Sequence, residues 1–234
     1  MSTKVDINGL LLEPDTSAAT TDQTPLRDRW GGWFVSGRQG SQVHLGNLLI
    51  QSKDEVFEHQ ATVHNQITRV NCKARNLVAR TSQGQPEPAS WGEVPAKIRP
   101  ALQKIVEPLV DALLFVDAAP FTDKIQSTSG FDRWFQAQGP RDPQGRSLPE
   151  LDLQTRLLKY PLSYLVYSEA FDALPAYARD YVYERLIAVL SDQDRSTEFA
   201  RLSAEDRTAI TSILRATKPE FAQALDKSQP AGQG

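Results

Sequence analysis

Between residues 53 and 80 apolar side chains return at intervals of three, four or seven: Val56, Val63, Ile67, Val70, Ala74 and Leu77. A helix turns about 100° per residue, so these positions line one face of a single long α-helix. A strand would need strict alternation instead. Ser52 is placed to cap the start of this helix, with Asp54 and Glu55 in its first turn. Lys73, Arg75 and Arg80 gather toward its end, the sign that a helix dipole favours there.

The same periodicity predicts a second helix over about 96–116, carrying Ile98, Leu102, Ile105, Val106, Leu109, Val110 and Leu113. Pro108 cannot donate a backbone hydrogen bond, so a kink or break is expected near Glu107. Residues 117–152 read as loop with a short helical turn at Phe131–Gln136, and 139–147 is turn chemistry throughout. One or two short turns are expected over 161–173. A strong helix follows over 176–191, with Pro175 at its start. Ser203 and Asp206 mark another helix to about 215, and Pro219 opens the last, to about 226. Near residue 33, aromatic and β-branched residues bounded by glycines suggest a small β-hairpin over 29–37. The expected fold is therefore mainly α: an irregular helical domain over 28–226 with that hairpin, an irregular lead-in over 1–27 and a disordered tail over 227–234.

Charge narrows the functional classes. The net charge is −3, so there is no basic footprint for a phosphate backbone, and nucleic-acid binding is not expected. The longest apolar run, from Ala112 to Val116, cannot span a bilayer. No signal peptide is recognisable, so the chain as it stands is expected in the cytoplasm, or in the periplasm if it is a fragment of a larger exported protein. Cys72 is the single cysteine, which excludes an internal disulfide and any Cys-x-x-Cys site; a core position is expected for it.

The three histidines all fall between positions 44 and 64, and imidazole is both a metal ligand and a proton carrier. On a regular helix His59 and His64, five apart, point about 140° away from each other. One ion between them would need a break in the helix. His59 is placed for an exposed pair with Glu55, whereas His64 faces a partly buried, polar-lined edge with Gln60 and Asn71. A glycine-bearing loop can fold back to present His44 opposite His64, and two facing imidazoles can bind a metal or a haem iron. His44, His64 and His59 are thus the metal-ligand candidates. Tyr164 and Tyr167, in the tyrosine-rich run 159–172, are candidates for lining a cofactor beside His44 and His64, against the ordinary alternative of core packing. Ser163 and Ser168 lack a nucleophile-elbow setting. Asp142, Arg146 and Arg141 are expected to fix a turn.

Several motifs taken together resemble the C-terminal region of a family of large, mostly uncharacterised bacterial proteins that often carry a c-type cytochrome motif upstream. They are Arg29-Trp30-Gly31-Gly32-Trp33-Phe34-Val35-Ser36-Gly37, then Gln42, His44, Gly46 and Asn47, then Glu58-His59-Gln60, His64-Asn65 and Thr68-Arg69. Gly139-Pro140-Arg141-Asp142, Gly145-Arg146-Ser147-Leu148, Lys159-Tyr160-Pro161, Ser163-Tyr164, Tyr167-Ser168 and Ala170-Phe171-Asp172-Ala173-Leu174-Pro175 continue the likeness. The resemblance implies an exported, haem-associated protein with a redox role. The family pattern has histidine at Gln39, methionine at Leu45 and cysteine at Leu162. This chain has no Cys-x-x-Cys-His, so any haem is expected from another polypeptide, a c-type cytochrome domain or protein. The expected function is a helical accessory domain that supports electron transfer without attaching haem. The alternatives are a metal-dependent enzyme using His44 and His64 with a carboxylate such as Glu58, and a cofactor-free structural or interaction protein.

Overall fold

The computed structural model describes residues 46–82, 84–116, 118 and 131–228, preceded by four three-residue strands. Side chains are described from Val56 onward, apart from those of Phe57, Glu58 and Phe131. The described body is mainly α-helical, with seven α-helices: α1 Gly46–Thr81, α2 Arg99–Leu113, α3 Phe131–Gln136, α4 Glu169–Asp172, α5 Ala176–Leu190, α6 Ala204–Thr217 and α7 Pro219–Ser228.

The long apolar stripe forms α1, a helix of 36 residues, roughly 54 Å at 1.5 Å per residue. It begins at Gly46, not after Ser52, so Ser52 is an interior residue rather than a cap. Val56, Val63, Ile67, Val70, Ala74 and Val78 are buried along it, Leu77 lying at the edge of the stripe. Cys72 is exposed on the other side, contrary to the core position expected of it. The stripe lies chiefly on α2. Pro108 neither ends nor divides α2, which runs through it to Leu113.

Helix α5 is the centre of the body. It packs on α2, α6, α7 and a 3₁₀ turn at Trp91–Glu93. Tyr177, Ala178, Tyr181, Val182, Tyr183, Leu186, Ile187, Val189 and Leu190 are all buried, so more than one face is covered. Arg179, Asp180, Glu184 and Arg185 keep the remaining strip of α5 at the surface, as suits a helix covered on most of its sides. Arg185 is held at the rim by Glu107 at 2.9 Å and Asp194 at 2.7 Å.

Helix α6 opens as its sequence predicts: Ser203 Oγ accepts from Asp206 N–H, and Asp206 accepts in return from Ser203 N–H. Beside this cap the buried Arg207 guanidinium donates to the carbonyls of Val189, Leu202 and Phe199, tying the end of α5 to the α6 entry. The turn at 139–148 is a compact unit. Asp142 accepts from Gln144 N–H and from the backbone N–H and Nε of Arg146. Gly145 closes that turn with a φ of +78°, and a Cβ on Gly139 would stand 2.4 Å from Ser147 Oγ and Pro149 Cγ.

The hairpin expected at 29–37 is not supported as an element of this domain. Trp33–Val35 pairs with Pro25–Arg27 rather than within 29–37, and Val5–Ile7 pairs with Leu10–Leu12. Two ribbons of three-residue strands make no layer for a core to form against, and among the described residues no strand occurs between the helices of the body.

Candidate functional site

The tyrosine-rich run does not form a single helix. Its chain turns at Leu162, makes a 3₁₀ turn at Tyr164–Tyr167 and then enters α4. Ser163 and Ser168 are the caps of these two turns, accepting from Leu165 N–H and Phe171 N–H. Ser163 N–H donates to Leu113 O at 2.8 Å, which fastens the run to the end of α2.

On that anchor the structure brings in His59 from α1. His59 Nε2 and Ser163 Oγ share a hydrogen bond of 2.8 Å across 104 residues of sequence. The imidazole stacks on Phe115, with ring centroids 4.0 Å apart and planes 12° from parallel. Tyr164 lies 6.4 Å away, and Phe135 meets the Tyr164 ring edge-on at 5.1 Å. Burial among these rings pulls the His59 pKa down to about 3, so the imidazole is neutral at ordinary pH. Ser163 Oγ satisfies both its cap and His59 in either imidazole tautomer.

Phe115 is itself held in an uncommon conformation. It follows the end of α2 with a φ of 58°. Its N–H reaches Ala112 O, and Val116 N–H reaches Asp111 O, the two bonds of a Schellman closure. Glycine usually occupies that position, because a side chain there crowds the backbone. Arg201 clamps the turn from outside, donating to Phe115 O at 2.6 Å, to Val116 O and to Ala118 O at 2.6 Å.

The other candidates separate. His64 is buried, 7% exposed, on α1. His59, expected in an exposed pair with Glu55, instead meets Ser163; the Glu55 side chain lies outside the described residues, as do His44 and the Glu58 side chain. A His44–His64 pair therefore lies outside the description. Tyr164 is buried. Tyr167 bonds Thr217 Oγ1 through its hydroxyl at 2.6 Å, and burial pushes its pKa up to about 12. Both tyrosines join the turn to the core. Among the described residues no group of three or more His, Cys, Asp or Glu side chains is arranged to hold a metal ion. No helix among them is long and apolar enough to cross a membrane.

Sequence periodicity did not point to Ser163, Phe115 or Arg201. A signal for Ser163 was present, since a serine before a short helical turn is a cap, but nothing local paired it with His59. Elsewhere, an open groove of about 270 Å³ between α5, α6 and α7 is lined by Ile187, Leu190, Phe221, Leu225 and four Ser or Thr residues. It has no ionisable group to position chemistry. No family profile, curated protein or solved structure matches the chain.

Proposed function

We propose that this chain is a helical accessory domain that supports electron transfer by a haem-bearing partner through packing, without attaching haem or turning over a substrate itself. The observation that supports a non-catalytic role is the His59–Ser163 pair. A general base for a serine needs a pKa near the working pH and a hydroxyl that a substrate can reach. Here the imidazole is far less basic than that, and Ser163 is fully buried and serves as a cap. The pair fits as a lock between α1 and the end of α2.

The redox half of the proposal rests on the resemblance carried by the Arg29–Gly37 and Lys159–Pro175 motifs. Haem does not fit at His59, because Nε2, the atom that would face an iron, is already bonded to Ser163. The burial of His64 likewise suits packing better than reaching a haem on another polypeptide. In this reading any haem belongs to the partner.

The test is to mix the purified chain with a c-type cytochrome of the same organism at low ionic strength. The expected result is a complex in which the cytochrome's reduction rate changes while its haem ligation bands do not. No complex and no rate change would refute the redox role. Haem bound by the chain alone, with its absorbance lost in His64→Ala or His44→Ala, would replace packing by ligand supply.

A further inference from the structure

The last two-thirds of α1 carries one sign of charge. Between Glu58 and Glu87 there are four cations, Arg69, Lys73, Arg75 and Arg80, and no carboxylate, in a chain whose net charge is −3. Arg75 is neutralised by Glu87 at 2.8 Å. The other three are exposed and none has an ion-pair partner among the described residues. With Asn76 they fall within an arc of about 60°, on the side of the helix away from the buried stripe, and from Arg69 to Arg80 they span roughly 16 Å.

The helix dipole does not account for them. Only Arg80 lies in the last turn, and the dipole's influence fades within one turn of the helix end. Arg69 and Lys73 are moreover a like-charge pair four residues apart, a spacing that weakens a helix. A surface needing only solubility would mix its signs there.

We infer that this ridge is a docking surface for the acidic face of a partner protein, which meets Arg69, Lys73 and Arg80 with carboxylates. The exposed positions before and between them, Thr62, Asn65, Thr68, Cys72, Asn76 and Ala79, offer no large apolar side chain to enter a bilayer and no aromatic ring to stack on a base. Carboxylates of a protein surface are the anions that such a sparse, polar, cationic row suits. The inference involves none of the haem-related residues and holds whatever cofactor the partner carries.

The experiment uses Cys72, exposed at the ridge's edge and the single cysteine, as the attachment point for a fluorophore. The labelled full chain is titrated with poly-L-glutamate, with a DNA duplex and with phosphatidylserine vesicles at rising salt. Poly-L-glutamate is expected to bind at low salt and to weaken as salt rises. The variant R69E/K73E/R80E is expected to lose at least about tenfold in affinity. The variant K97E/K104E/R133E, which changes net charge equally at three other exposed cations, is expected to bind as the wild type does. No binding at low salt, or equal loss in both triple variants, would overturn the inference. So would tighter binding to the duplex or the vesicles than to poly-L-glutamate. Circular dichroism of each variant checks that the helices are intact.

Discussion

At the scale of single residues the most informative group is His59. Its pKa lies well below its ordinary value because burial disfavours the charged ring. The unfolded chain takes up a proton near pH 6.5, the folded one only near pH 3. Between those values the unfolded state binds more protons, so stability is highest above pH 6.5 and falls as pH drops through the window. Taking into account that the ring is not fully enclosed, the loss from pH 6.5 to pH 5 is about 1 to 2 kcal/mol. His59→Phe keeps a ring against Phe115 but has no proton to gain. Urea denaturation at the two pH values is expected to show a slope for the wild type that the variant lacks. An unchanged slope would mean that the ring is hydrated and titrates normally.

The histidine also shows where reading from sequence stops. Helical spacing placed His59 and His64 on different sides of α1, and it is because of that divergence that only one of them reaches Ser163. The partner itself sits 104 positions away. No period connects two residues brought together by the packing of α1 against the end of α2, and the serine's visible role, capping a turn, is local.

At the scale of elements, the starts of α6 and α7 were legible, whereas α1 opens at Gly46, six residues before the Ser52 read as its cap. Ser203 with Asp206 announces α6, and Pro219 announces α7, because start signals lie in side chains that bond nearby backbone. Helices α2 and α5 both end in Schellman closures whose left-handed residue is not glycine but Phe115 and Asp192, with φ of 58° and 61°. Without the glycine the stop signal vanishes from the sequence. For α2 this conformation aims the Phe115 ring at His59, so the crowded backbone is offset by the stack and by Arg201. Two variants separate these effects. Phe115→Ala and Phe115→Gly both remove the ring, but only glycine adopts this φ without a Cβ penalty. Phe115→Gly is therefore expected to be the more stable of the two by about 1 kcal/mol in thermal or urea unfolding. In an ordinary right-handed helical position the order would reverse.

At the scale of the whole molecule, the body is a set of helices around α5, laced by a few long-range ion pairs. The mainly α character was legible because several stripes of period 3.6 needed each other for burial. The ties between segments were not, because a surface arginine looks the same whether or not it reaches a distant carboxylate. Arg156 and Asp206 are such a tie, bonded at 2.7 and 3.1 Å and joining the 150s loop to the start of α6. Burial alone would raise the Asp206 pKa, but Arg156 and the Ser203 hydroxyl and N–H outweigh it and hold the carboxyl below its ordinary value. A depressed carboxylate pKa contributes stability that is complete above the unfolded value, near about 3.9, and is lost as pH falls below it. Asp206→Asn gives up the charge while keeping the shape. It is expected to unfold about 1 to 2 kcal/mol more easily at pH 7, with the gap to wild type narrowing as pH falls below the unfolded value and the charge-dependent stability is lost. Asp142 is lowered by Arg146, and Asp194 by the Ser196 N–H and then by Arg185, so the wild type is expected to lose stability over that range too. A gap of constant size from pH 7 to pH 3 would show that Asp206 acts through packing alone and that its charge does not help bind the 150s loop to α6.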